Sequence, residues 1–218
     1  MALSSRTNGA QRTKRARRTP EDAEREILDA AEAFLREHDF RDLSVDELMR
    51  RTGMVRSTFY HYFPDRGAVI ARLLEPIRDE MLAAAAGWLE GLDDDPTRAI
   101  ARTLRRVAET WAGHGHMLRA AHEAAYHDPD VERLYLAMAV DAFATPLAAL
   151  LRRERRAGRT AVSNPGEVAR ALMLMNVNVF AARLGRRPPD SPAAVARTLT
   201  QIWAGTIYPG VVACREGL

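Results

Sequence analysis

With 218 residues, 47% of them hydrophobic and 28% charged, the chain is long enough to bury a substantial core and has the balance of an ordinary globular protein. A single cysteine, Cys214, excludes an internal disulfide framework and suits a reducing cytoplasm. No uninterrupted apolar run reads as a bilayer span and no signal-peptide core follows the basic N-terminus, so a cytoplasmic protein with no membrane partner is expected.

The net charge of +3 is unevenly placed. Residues 1–19 contain Arg6, Arg12, Lys14, Arg15, Arg17 and Arg18 and no acid, a charge of +6 that leaves −3 on the remainder. With Ser, Thr, Asn and Gly between the charges, this segment cannot bury apolar surface and reads as a disordered basic arm. Two roles fit it: an arm lying along phosphates or in a minor groove, and a solubilising tail.

After Thr19-Pro20, the acids Glu21, Asp22, Glu24 and Glu26 open a first helix, where negative charge complements the backbone dipole. Ile27, Ala30, Ala31, Phe34 and Leu35 give it a buried stripe, and it should end near His38-Asp39. Ser44 with Glu47 three residues on reads as a capping box, and Val45, Leu48 and Met49 form the apolar face of a second, short helix. Gly53 supplies the positive φ of a helix stop, with Met54 tucked inward, and another short helix runs from about Val55 to Tyr62. Phe59 and Phe63, four apart, face the interior, while Arg56, Ser57, Thr58, Tyr60 and His61 fall toward the outer face and N-terminal end. Two helices across a turn of this length form a helix-turn-helix, and those side chains are types that reach base edges and phosphates.

The full string from Ser44 to Arg66, SVDELMRRTGMVRSTFYHYFPDR, resembles the DNA-binding signature of the TetR family of bacterial regulators, and the likeness extends over about Arg25 to Leu74. It implies an all-α fold: a helix-turn-helix head over 20–66 and a helical ligand-binding and dimerisation domain over 67–218. It also implies DNA-binding roles for Ser44, Arg56, Ser57, Thr58, Tyr60, His61 and Arg66. Four positions depart from the family pattern. Val55 stands where a capping Ser or Thr is usual, so Ser57 or water must serve that helix end. Arg66 replaces Lys, Thr52 replaces Ala and Asp39 replaces Gly.

Pro64-Asp65-Arg66 starts a fourth helix, with Asp65 as cap and Val69, Ile70, Leu73 and Leu74 inward. Pro76 should kink or end it and form a joint between the DNA head and the C-terminal helices. Beyond this proline, Asp95-Pro96, Asp128-Pro129, Asn164-Pro165 and Ser191-Pro192 each pair a cap with a first-turn proline, and Gly91, Gly113, Gly158 and Gly185 mark stops. Helices are therefore expected near 77–90, 96–112, 116–127, 129–157, 165–184 and 192–208. The basic run Arg152 to Arg156 suits a helix C-terminus and is not assigned to DNA.

Large apolar side chains in these helices are ordinary core by composition alone. The resemblance, closest to family members with a long apolar channel, implies instead a pocket for a small apolar effector lined by Trp111, Leu136, Val140, Phe143, Met173, Asn176, Phe180 and Trp203. Asn176 would be its polar anchor, and a bond from Asn176 to a neighbouring helix is the competing account. The last two helices would pair across a two-fold axis, with Ala169, Leu172, Val195, Leu199, Ile202 and Ile207 facing out.

The expected function is a ligand-responsive repressor, a homodimer on a palindromic operator of double-stranded DNA, and not an enzyme. One alternative is a DNA-binding protein with a filled, unresponsive core. Another is a metal-dependent enzyme using His114, His116, His122, Glu123, His127 and Asp128, whose spacing suits a metal poorly. No nucleophile motif, phosphate loop or dinucleotide fingerprint is present, and no cofactor is implied.

Overall fold

A computed structural model describes residues 19–91, 95–186 and 188–209. Residues 1–18 of the arm expected over 1–19, and Cys214, lie outside these residues, while Thr19 is the N-cap of the first helix. Among the described residues the chain is helical throughout, with no strand: α1 Pro20–Leu35, α2 Val45–Thr52, α3 Arg56–Tyr62, α4 Arg66–Glu90, α5 Pro96–Gly113, α6 Gly115–His127, α7 Pro129–Leu136, α8 Ala142–Arg156, α9 Pro165–Leu184 and α10 Pro192–Ile207.

The helix ends follow local chemistry. Thr19 and Asp22 form a reciprocal capping box at α1. Asp65, Asp95, Asp128 and Ser191 each accept a first-turn backbone N–H of the helix they precede. At α2 only half of the expected box forms: Ser44 Oγ accepts from Glu47 N at 3.1 Å, while the Glu47 carboxylate turns to Arg50 and Arg51. These guanidinium bonds hold Glu47 down to a pKa of about 2. Asn164 makes no side-chain cap, contrary to expectation.

Gly53, Gly91 and Gly158 adopt φ of 65°, 78° and 70°, the left-handed region that glycine enters without steric cost. Gly185 has a different reason to be glycine. Its φ is −75°, and a Cβ there would stand 2.6 Å from the Ala181 carbonyl oxygen and 3.3 Å from Arg119 Cβ, where α6 crosses the end of α9.

Pro76 neither ends nor divides α4, which runs through it for 25 residues. A proline removes one ladder bond. Its ring here is exposed, while Leu74, Ile77 and Met81 on the opposite face are buried and hold both halves to the core. The head and the body therefore share one helix. The expected helix over 129–157 is helical along its length but contains a π turn at Ala137–Asp141. Pro129–Arg156 meets the length and composition of a membrane span, but it packs on α9 and α4 inside the bundle, as the core helix of a globular domain does.

One continuous apolar core links the two parts. In the head it contains Ile27, Leu35, Leu43, Leu48, Phe59 and Phe63; in the body α5 packs on α10 and α8 on α9 around Ile100, Leu147, Leu151, Phe180 and Leu199. At the far end, Glu154 accepts from Arg159 Nε and Nη2, at 2.9 and 2.6 Å, and from the Tyr208 hydroxyl at 3.2 Å. This ties α8, the following loop and the end of α10 together.

Candidate functional site

In the head, Gly53 turns the chain so that α3 lies across α2, with Phe59 fully buried beneath it. Burying Phe59 and Phe63 four residues apart fixes the rotation of α3, so Arg56, Ser57, Tyr60 and His61 are exposed and Thr58 is half-buried. Val55 is the exposed N-cap; its carbonyl accepts from Thr58 N at 2.9 Å, but its side chain can make no cap bond and Ser57 does not take over that role. The first-turn N–H groups of α3 thus lack a side-chain cap.

Ser44, Arg56, Tyr60 and Arg66 meet along one open groove that also includes Asp46 and Asp65. Arg56 is already held there: Nη1 donates to Asp46 Oδ1 at 2.8 Å, Nη2 to Tyr60 Oη at 3.2 Å, and the guanidinium lies 5.7 Å from the Tyr60 ring centroid. Asp46 was not singled out from sequence; it lies ten residues before Arg56 and reaches it only through the turn. Arg66 is half-buried, donates to the Leu43 carbonyl and lies 5.2 Å from the Phe40 ring centroid, so it joins the start of α4 to the link before α2.

In the body, α4, α5, α9 and α10 with the α7–α8 segment enclose an apolar cavity of ≈ 830 Å³ including its mouth. Its lining follows α4 from Leu74 to Leu89, about 22 Å of helix, so the cavity is an elongated slot. Of the expected lining, Trp111, Phe143, Met173, Asn176, Phe180 and Trp203 are present. Leu136 and Val140 are not: the wall is made instead by Tyr135, Met138 and Ala139. The π turn is the reason. A regular helix advances about 100° per residue, which would carry Phe143 well round the helix from Tyr135, whereas the wider turn takes in an extra residue and aligns 135, 139 and 143.

Asn176 is 3% exposed, and its Oδ1 accepts from Trp203 Nε1 at 3.0 Å. The bond to a neighbouring helix therefore exists, and the amide nitrogen is what Asn176 can offer the cavity. Thr103, 8% exposed, also lines the space.

The residues from His114 to Asp128 serve separate contacts. His122 Nδ1 lies 3.1 Å from Tyr135 Oη, and burial lowers the His122 pKa and raises that of Tyr135. His116 faces Glu32 at 3.7 Å, Asp128 caps α7, and Glu123 accepts from Arg119 at 2.9 Å. Among the described residues no group of three or more such side chains could hold a metal. Arg119 also reaches Asp39 at 3.4 Å and lowers its pKa, so Asp39 braces the head against α6.

Of the expected two-fold face, Ala169, Leu172, Val195, Leu199 and Ile207 are buried within the single chain and Ile202 alone is exposed, at 42%. The outward faces of α9 and α10 carry Ala171, Asn178, Ile202 and Gly205 instead. Both helices have apolar residues on more than one face, so periodicity could not say which side turns to the core.

Comparison with known proteins gives two family matches: "Bacterial regulatory proteins, tetR family" over residues 27–73, and "Transcriptional regulator EthR, C-terminal domain" over residues 100–209. The HTH-type transcriptional regulator EthR of Mycolicibacterium smegmatis is 31% identical over 210 residues, 95% of this chain and 96% of that protein. EthR of Mycobacterium tuberculosis is 33% identical over 196 residues, 88% and 90% of the two chains. A solved TetR-family regulator from Syntrophomonas wolfei shares the fold with a TM-score of 0.70 at 12% identity, covering 86% of this chain and 95% of that one.

Proposed function

This chain belongs to the TetR family of transcriptional regulators and carries an EthR-type C-terminal domain, and from that premise we propose that it is a dimeric repressor released from a palindromic operator by a small, largely apolar effector. The relatives are named as transcriptional regulators, not enzymes. In this reading the protein works in the cytoplasm, where its operator is.

The observation that carries the proposal is the course of α4. Its first turns belong to the reading head, with Val69 and Ile70 buried there, and its later turns supply Leu74, Ile77, Met81, Ala85 and Trp88 to the cavity wall. A ligand in the slot touches the helix on which the head is mounted. It shifts the head only by binding one arrangement of α4 more tightly than the other.

On the DNA side, Arg56, Tyr60 and His61 are assigned to base edges, and Ser44, Ser57, Thr58 and Arg66 to phosphates or to holding the reading helix. The basic arm adds salt-dependent affinity. In the cavity, Asn176 anchors an acceptor group of the effector through its amide nitrogen. Two heads at fixed spacing require a dimer, and the outward faces of α9 and α10 are assigned to that contact. A filled, unresponsive core is disfavoured by the cavity itself.

The test is fluorescence anisotropy of a duplex carrying a selected inverted repeat, with sedimentation of the same sample. Dimer-stoichiometric binding that an apolar cavity ligand abolishes supports the reading. A ligand that binds tightly with no loss of DNA affinity removes the switch, and a monomer at working concentration removes the dimer.

A further inference from the structure

We infer that the effector is an unbranched apolar chain ending in a carboxylate, with Arg78 on α4 as the group that receives the acid. This rests on the reading of the cavity as an effector site and names the chemistry that site selects.

Among the described residues lining the cavity, Arg78 is the one with a formal charge, and no carboxylate lines it. The remaining walls are aromatic and aliphatic, relieved by Thr103, Tyr135 and Asn176, and the Tyr135 hydroxyl already meets His122. An ion placed among those neutral groups would lose its hydration with no counter-charge. The Arg78 side chain is 30% exposed, so an acid held there keeps contact with water while its chain runs inward.

Arg78 is also available. Its Nε and Nη2 both donate to a single oxygen, Oδ1 of Asp79, at 2.9 and 2.8 Å, and the Asp79 side chain is 64% exposed. An ion pair so open to solvent is weak and easily exchanged. Arg78 Nη1 has no partner among the described residues. A ligand carboxylate can share or replace Asp79 on the planar fork, where two parallel bonds are possible.

The shape of the cavity sets the rest of the molecule. The lining follows α4 from Leu74 to Leu89, about 22 Å of helix at roughly 1.5 Å per residue, a length that suits an extended, flexible chain better than a compact ring system. Met81, Met138 and Met173 in the wall adapt to such a chain. Placing the acid on α4 also lets the charged end of the ligand act on the helix that carries the head.

All three tryptophans of the chain, Trp88, Trp111 and Trp203, line this cavity, so their intrinsic fluorescence reports its occupancy. The experiment titrates the full-length protein with dodecanoate, its methyl ester and dodecanol, each below its aggregation concentration, and repeats the series with Arg78→Gln and Asp79→Asn. The acid is expected to bind about tenfold more tightly than the ester. Arg78→Gln should bring its affinity down to that of the ester, and Asp79→Asn, which removes the competing negative charge, should tighten acid binding further. Equal affinity for acid and ester in the wild type, or undiminished acid preference in Arg78→Gln, overturns the head-group assignment and leaves the cavity reading standing. No fluorescence response to any of the three probes, with circular dichroism reporting a folded protein, overturns the cavity reading as well.

Discussion

The head and the body solve opposite problems with the same helices. In the head, polar side chains are turned outward and partner one another at the surface, as Arg56 does with Asp46 and Tyr60. In the body, few polar groups are turned inward, and the most buried of them, Asn176, spends its oxygen on Trp203. On the proposed reading, the head is a preset surface that exchanges its own contacts for those of DNA, while the body is a space whose selectivity rests on a few groups. The contrast explains why an apolar wall and an exposed reading helix coexist in one chain: α4 belongs to both.

The largest break in this contrast comes from the floor of the head. Phe59→Ala removes a fully buried ring and should cost about 3–5 kcal/mol of stability, seen as a fall in the urea midpoint and loss of duplex binding. Asn176→Leu comes next. It strands the Trp203 indole N–H in an apolar wall, an expected loss of about 1–3 kcal/mol with a changed tryptophan emission; an unaltered melt would mean that the amide oxygen is dispensable. Arg56→Ala should weaken operator binding by about 1–3 kcal/mol while thermal unfolding stays put, because the side chain is exposed.

Glu154→Gln tests the far end of the body, with an expected cost of about 1 kcal/mol at neutral pH. Its partners hold the folded carboxyl below its ordinary pKa, the Arg159 bonds contributing most. The stabilisation is therefore full above the unfolded value, about 4.3, and disappears as pH falls through the lower folded value. Wild type and variant should converge in acid, and a gap that persisted there would point to packing instead. The smallest effect on stability belongs to Arg119→Gln at the brace to Asp39, under about 1 kcal/mol for a half-exposed pair; its signature is a changed ligand effect on DNA affinity.

Much of the head was legible because its rules are local. A Gly at φ 65°, a Ser cap and two phenylalanines four apart fix α2, the turn and the face of α3. The body was legible in its helix ends, where Asp95, Asp128 and Ser191 cap as expected. What faces what was harder to read. The π turn moved the lining from Leu136 and Val140 to Tyr135, Met138 and Ala139, since a register change inside a helix leaves no mark on composition. The expected two-fold face proved to be core because α9 and α10 are apolar on more than one side. Arg78, Thr103 and Asp46 carry no local signal in the sequence, because each takes its meaning from neighbours brought close by folding.

The measurement that bears most directly on the central claim is selection of bound duplexes from a randomised pool, followed by sequencing, with the wild type and the Arg56→Ala, Tyr60→Ala double variant side by side. If the exposed face of α3 reads DNA from two copies of the chain, the wild type enriches an inverted repeat with a fixed half-site spacing and the folded variant does not. Enrichment of the same repeat by the variant, or of no repeat by the wild type, would contradict it.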